Sequence, residues 1–123
     1  MEAVEQLEFQ LLDRRATPAG ELVSYSVRIP PDLLSLQGHF PGNPVMPGTA
    51  QLLSIVLDRV RALWPELGEP RRVTRLKFKR TIRPGDPLEV RLDRGADEVH
   101  FELHRGREQC TVGTLVFAPA TAL

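Results

Sequence analysis

Thiols, lysines and long apolar runs are all scarce in this sequence, and each scarcity removes a class of function. Cys110 is the only cysteine, so no intrachain disulfide can form and no metal site can rest on a set of thiolates. It falls within an apolar run at the end of the chain, which predicts a buried, inert thiol. No apolar stretch approaches the roughly 18 residues that a helix needs to cross a bilayer. The opening Met1-Glu2-Ala3-Val4-Glu5 is acidic where a secretory signal would be basic. Together these two absences predict a cytoplasmic protein with no membrane span. Net charge is also missing: 16 basic and 16 acidic residues cancel, leaving no strong overall field for nucleic acid or a membrane surface. Lysine stands only at positions 77 and 79. The remaining basic residues are arginines, which keep their charge and fork onto carboxylate or phosphate.

What remains is an ordinary globular composition, 41% hydrophobic and 26% charged, in 123 residues. That length predicts one domain over residues 1–123, since two halves would each be too small to bury a core. Leu7 to Leu12 reads as a strand, and Asp13 to Gly20 as a turn region. From Leu22 to Ile29, Val23, Tyr25, Val27 and Ile29 alternate with polar residues, the pattern of a half-buried strand. Asp32 to Leu36 reads as a short helical turn. Thr49 to Trp64 reads as a helix of about four turns, apolar over most of its circumference. Gln51, Ser54, Asp58 and Arg61 form its narrow polar stripe. Four further strand segments follow: Val73 to Ile82, Leu88 to Leu92 and Val99 to Leu103, which alternate, and Cys110 to Ala118, which is apolar on both faces. The turns between them are centred on Arg83-Pro84-Gly85-Asp86, Asp93 to Asp97 and Arg105-Gly106-Arg107. This order predicts an α+β fold, one long helix wrapped by an antiparallel sheet of about six strands, the last four as a meander.

Between the second strand and the helix, Gln37 to Gly48 holds Pro41, Pro44, Pro47, Gly38, Gly42 and Gly48, a composition that neither a helix nor an inner strand tolerates. His39 lies in this loop. His100 and His104 instead fall on the polar side of an alternating strand, where surface roles are expected. A loop with this much backbone control usually positions something, although a histidine that merely bonds a neighbouring carbonyl would also fit. The helix start adds a second element. Pro47 suits the first turn, and the N–H groups of Gly48, Thr49 and Ala50 precede any intrahelical acceptor. Such donors, at the positive end of the helix dipole, can hold a developing oxyanion. A thioester carbonyl held there has a more acidic α-carbon, and a neutral imidazole nearby can take the α-proton.

Gly38-His39-Phe40-Pro41-Gly42-Asn43-Pro44-Val45-Met46-Pro47-Gly48 resembles the signature of FabZ-type (3R)-hydroxyacyl-acyl-carrier-protein dehydratases. Leu76-Lys77-Phe78-Lys79-Arg80 and Pro84-Gly85-Asp86 resemble that family's next strand and turn, so the likeness covers roughly residues 20 to 118. Pro47-Gly48-Thr49-Ala50-Gln51-Leu52 is also similar to the divergent ApeI-like dehydratases of aryl-polyene and related pigment clusters. The resemblance implies a hot-dog fold, a homodimer or a trimer of such dimers, an active site at the dimer interface, and no metal or cofactor. It implies an acyl thioester on acyl carrier protein as substrate. It puts His39 at the catalytic base and Gly48 at the donor to the thioester carbonyl, with Phe40, Pro47 and Leu53 against the substrate.

At position 53 this chain departs from the family, which has a helix carboxylate there; leucine can neither give nor take a proton. Three ways to accommodate the departure are that His39 acts alone, that another acid such as Asp58 substitutes, or that acyl binding survives without dehydration. In a regular α-helix Asp58 would lie about 140° around the axis from Leu53. The functional expectation is elimination of water from a 3-hydroxyacyl thioester to a trans-2-enoyl thioester. The alternatives are a non-catalytic carrier-protein-binding subunit and a hot-dog thioesterase. Arg71, Arg72, Arg75, Lys77, Lys79, Arg80 and Arg83 crowd into one segment. That segment reads either as a solvated strand face or as a dock for the acidic carrier protein, with Lys77, Lys79 and Arg80 as its contacts.

Overall fold

The computed structural model describes residues 7–30, 46–83 and 85–119. Six strands, β1 (Phe9–Ala16), β2 (Glu21–Arg28), β3 (Arg72–Phe78), β4 (Pro87–Arg94), β5 (Glu98–Arg105) and β6 (Glu108–Val116), form one sheet in the order β1-β2-β4-β5-β6-β3. Every neighbouring pair is antiparallel. One helix packs against the sheet. It runs over residues 48–63 as a short α1 (Gly48–Ala50), a π-helical stretch (Gln51–Leu57) and α2 (Asp58–Leu63). A helix against a six-stranded antiparallel sheet is the α+β arrangement that the element order predicts, and it agrees with the hot-dog fold that the family resemblance implies.

Alternation along β2, β4 and β5 directs Val23, Tyr25, Val27, Leu88, Val90, Leu92, Val99, Phe101 and Leu103 onto the helix. Ile55, Val56 and Val60 meet them from the helix side. Each such burial contributes roughly 1.5–3 kcal/mol relative to exposure, so this layer is what holds the sheet around the helix. Cys110 is also fully buried, as expected, and its desolvated surroundings push the thiol above its ordinary value. Among the described residues no helix is long and apolar enough to cross a membrane.

The structure corrects four sequence expectations. The strands after the helix are not one meander: β4, β5 and β6 are consecutive, but β3 lies beyond β6. The cause lies in the segment after Phe78. The N–H groups of Lys79 and Arg80 both donate to the Cys110 carbonyl, at 2.7 and 3.1 Å, which ends the ladder. Ile82, expected inside the strand, is instead buried in the core and ties down the crossing to β4. β1 runs on to Ala16 through a register shift between Leu11 and Asp13. As an edge strand it accommodates charge in contact with water, and Arg14 pairs with Glu21 at 2.8 Å. The reversal shrinks to Thr17–Gly20, closed by two backbone hydrogen bonds between its end residues.

The helix also departs from its expected phase. Gln51 and Ser54 are buried at 3% and 4% exposure, while Leu53 is 39% exposed. A polar stripe computed at 3.6 residues per turn fails here because i→i+5 bonding changes the phase. The exposed positions along the helix are Thr49, Leu53, Arg61 and Ala62, with Asp58 partly buried. Across this π-helical stretch the separation of about 140° between Leu53 and Asp58 that regular α geometry gives no longer applies. Finally, His104 is buried, against the expectation of a surface residue. A register shift at Leu103/His104 accompanies this, and its Nε2 lies 2.7 Å from Glu102 Oε1.

Candidate functional site

The helix start opens onto a cavity of about 260 Å3. Met46, Pro47, Gly48 and Gln51 line it from the helix side, and Phe78, Lys79, Arg80 and Thr81 from the end of β3 and the crossing segment. Four of the expected site residues thus meet at one place: Pro47, Gly48, Lys79 and Arg80. His39 and Phe40 lie outside the described residues. Leu53 is on the same helix, outward and half-exposed, and does not line this cavity. Lys77 is exposed on β3, opposite Val112 in the ladder.

Several contacts fix the cavity walls. Pro47 caps the helix with φ −61° and ψ 150°, an extended geometry that its ring favours. Gln51 N–H donates to Pro47 O at 3.0 Å, so the N–H groups of Gly48, Thr49 and Ala50 come before the first intrahelical donor. Gly48 is required here for a reason the sequence does not announce. A Cβ at this position would come within 2.5 Å of the Phe78 ring, so the aromatic edge occupies the room that the missing side chain leaves. The crossing segment is held by Arg105, whose Nη1 donates to Thr81 O and to Asp86 Oδ2, both at 2.9 Å. Asp86 also accepts the Arg83 N–H at 2.8 Å, and Gly85 has φ +83°, a conformation that favours glycine. The Gly85-Asp86 part of the expected turn is therefore a structural clamp for one wall of the cavity.

The basic residues at the cavity are not equally available. Arg80 Nε is 3.6 Å from Glu108 Oε2, and Lys79 Nζ donates to Gln109 Oε1. Lys77 has no ion-pair partner among the described residues. Asp58, the acid nearest to Leu53 in the helix, is paired with Arg59 at 2.8 Å, whose guanidinium stacks over the Phe9 ring at 4.3 Å. Among the described residues no group of three or more histidine, cysteine or carboxylate side chains has metal-binding geometry.

Sequence reasoning missed two residues of this site. Phe78 reads only as part of the strand that resembles the family's, with no site role, yet it covers Gly48. Gln51 reads as part of a solvent stripe, yet it is buried at the cavity and bonded to Met46 O and to Thr111. The available signals for Gln51 were its place three residues past the helix-start glycine and its part in the Pro47 to Leu52 run that resembles ApeI-like dehydratases.

Residues 15–114 match the family model described as ApeI-like, ApeI dehydratase. Among curated relatives, the 3-hydroxyacyl-[acyl-carrier-protein] dehydratase FabZ of Oenococcus oeni is 45% identical over 74 residues, 51% of this chain and 51% of the relative. FabZ of Alkaliphilus metalliredigens is 31% identical over 93 residues, 67% of this chain and 63% of the relative. The chain therefore spans between half and just under two-thirds of these relatives' own lengths. Two solved structures share the fold. An uncharacterized protein from Erwinia carotovora subsp. atroseptica superposes with a TM-score of 0.72 at 23% identity, covering 91% of this chain and 97% of that one. The dehydratase heterocomplex ApeI:P from Xenorhabdus doucetiae gives 0.73 at 21% identity, covering 90% and 98%.

Proposed function

The chain belongs to the ApeI-like dehydratase family, and from that premise we propose that it eliminates water from 3-hydroxyacyl thioesters carried on acyl carrier protein. His39 takes the α-proton and returns it to the departing hydroxyl. Gly48 N–H donates to the thioester carbonyl, on which the enolate charge develops. Phe40 and Pro47 contact the substrate, and Leu53, which does not line this cavity within its own subunit, adds an apolar contact across the subunit interface. The observation that carries this reading is the opening of the Pro47–Gly48 helix start onto a cavity whose opposite wall bears Lys79 and Arg80. A carbonyl donor and a basic rim are what a thioester on an acidic carrier needs at one place. Lys77, Lys79 and Arg80 then form the carrier's dock, with Lys77 the least compensated of the three.

A homodimer completes this reading. Val73, Leu76 and Phe78 on β3 are 36–50% exposed, and β3 is an edge of the sheet. A second copy along that edge would cover both the strand and these side chains. The active unit is then one domain per subunit.

A second reading rests on Leu53. Without a helix carboxylate the chain serves as an acyl-carrier-protein-binding subunit beside a catalytic homologue, an assembly of the kind that the name of the ApeI:P heterocomplex describes for that protein. Incubation with a 3-hydroxyacyl carrier protein, followed by intact-mass measurement, separates the readings. Loss of one water supports dehydration. Loss of the acyl group indicates a thioesterase, and binding with unchanged mass favours the subunit reading.

A further inference from the structure

Gln51 is a buried amide on a helix face that also buries Ser54, Ile55, Val56 and Leu57, and burial of an amide is costly unless its hydrogen bonds are made. Here they are made, and to two different parts of the fold. Thr111 Oγ1 on β6, itself fully buried, donates to Gln51 Oε1 at 2.7 Å. Gln51 Nε2 donates to Met46 O at 3.0 Å. Met46 N–H in turn donates to Ile82 O at 2.7 Å, in the segment crossing to β4. The backbone N–H of Gln51 donates to Pro47 O at 3.0 Å.

These contacts grip two successive peptide planes. Met46 O belongs to the plane between Met46 and Pro47. Pro47 O belongs to the next plane, the one that also carries the Gly48 N–H. Each plane is rigid, and the pyrrolidine ring fixes φ of Pro47. The one soft rotation left between them is ψ of Pro47, which is 150°. That angle sets where the Gly48 N–H points relative to the sheet. Gln51 holds both planes at once, by its side chain on the first and its backbone on the second, while Thr111 fixes the side chain to β6. We propose that Gln51 is a positioning residue for the dehydration, aiming the Gly48 N–H at the thioester carbonyl. The proposal deepens the dehydratase reading and rests on it.

A positioning role separates from a packing role in two substitutions. Gln51→Leu removes both side-chain bonds and leaves the Thr111 hydroxyl and Met46 O buried without Gln51, so it lowers both stability and rate. Gln51→Leu/Thr111→Val makes both ends of the lost pair apolar, which recovers much of the stability, yet Met46 O remains ungripped. For both variants kcat on a 3-hydroxyacyl carrier protein should fall by roughly 10- to 100-fold, the scale of a misplaced reacting group. KM should change little, because the lost interaction is strongest in the transition state. Recovery of kcat together with thermal stability in the double variant would overturn the proposal.

A second measurement does not depend on turnover. In 15N-labelled protein the Gly48 amide resonance should shift when the pantetheine thioester of 3-hydroxybutyrate is added to the wild type, and should shift much less in either variant. Equal shifts in all three proteins would overturn the assignment of Gln51. If the wild type shows this shift, and the variants lose it, but no enoyl product forms, the dehydratase reading fails while the positioning of Gly48 by Gln51 stands.

Discussion

On β4 and β5 the inward Leu88, Val90, Leu92, Val99, Phe101 and Leu103 are at most 3% exposed, whereas on β3 Val73, Leu76 and Phe78 remain 36–50% exposed. β3 has a register break between Thr74 and Lys77 and places Arg75 at φ +54°, a region that side-chain-bearing residues seldom occupy. The contrast separates two kinds of constraint. In the sheet centre, residue choice is explained by packing inside one subunit. At β3, packing inside the subunit explains little: the apolar side chains are too exposed to be core. The proposed assembly would account for them, with a second copy along the strand and a substrate at its end beside Gly48.

Substitutions can break this division. The largest expected effect lies in neither strand. His39→Ala should lower the dehydration rate by about two to four orders of magnitude, the usual cost of a lost general base. Circular dichroism and the thermal transition should be unchanged, and undiminished turnover would remove His39 from the mechanism. In the centre, Phe101→Ala should cost about 3–5 kcal/mol in urea unfolding, because a fully buried ring leaves a cavity. At the edge, Phe78→Ala should cost about 1 kcal/mol in an isolated subunit, in proportion to its half burial. Equal costs at the two positions would erase the distinction. Leu76→Asp should leave the fold intact and shift light scattering at micromolar concentration from dimer to monomer; a persistent dimer would place the interface elsewhere.

Two smaller effects sharpen the picture on the sheet's solvent side. Glu102 is held at about 2, below its ordinary 4.5, first by its hydrogen bond with His104 and then by the bond with His100. A depressed carboxylate stabilises the fold fully above its unfolded value and loses that contribution as pH falls through its folded one. The stability difference between wild type and Glu102→Gln should therefore shrink as pH falls from 4.5 to about 2. A pH-independent difference would show that the carboxylate charge is not involved. Reversing the charges of Lys77 and Lys79 should weaken carrier-protein binding more at low salt than at high salt, since screening already blunts the attraction. An equal loss at both salts would make the basic segment an ordinary solvated face.

Much of this was legible in the residues, for identifiable reasons. Period-two patterns in β2, β4 and β5 are strong because one face is fully buried, and those strands lie where the alternation puts them. The Pro47–Gly48 helix start is legible because proline and glycine act on the backbone locally. Non-local facts were not legible. The place of β3 beyond β6 depends on a crossing segment tied at Ile82 to Met46 and at Lys79 and Arg80 to Cys110, partners distant in sequence from β3. The inward turn of Gln51 depends on a π-helical phase that no 3.6-residue pattern reveals. The cover over Gly48 depends on where β3 ends. His39 and Phe40, the most distinctive residues of the sequence motif, lie outside the described residues, so their roles rest on the family resemblance.

The central claim is that the thioester reacts at the helix start. Its most direct test is a crystal structure of the assembled protein with a non-reactive pantetheine analogue of a 3-hydroxyacyl thioester. The account predicts the analogue's carbonyl oxygen at about 2.7–3.1 Å from Gly48 N, with its α-carbon beside His39. An analogue seated instead in the groove between β1 and β2, against Phe9 and Arg28, would contradict it.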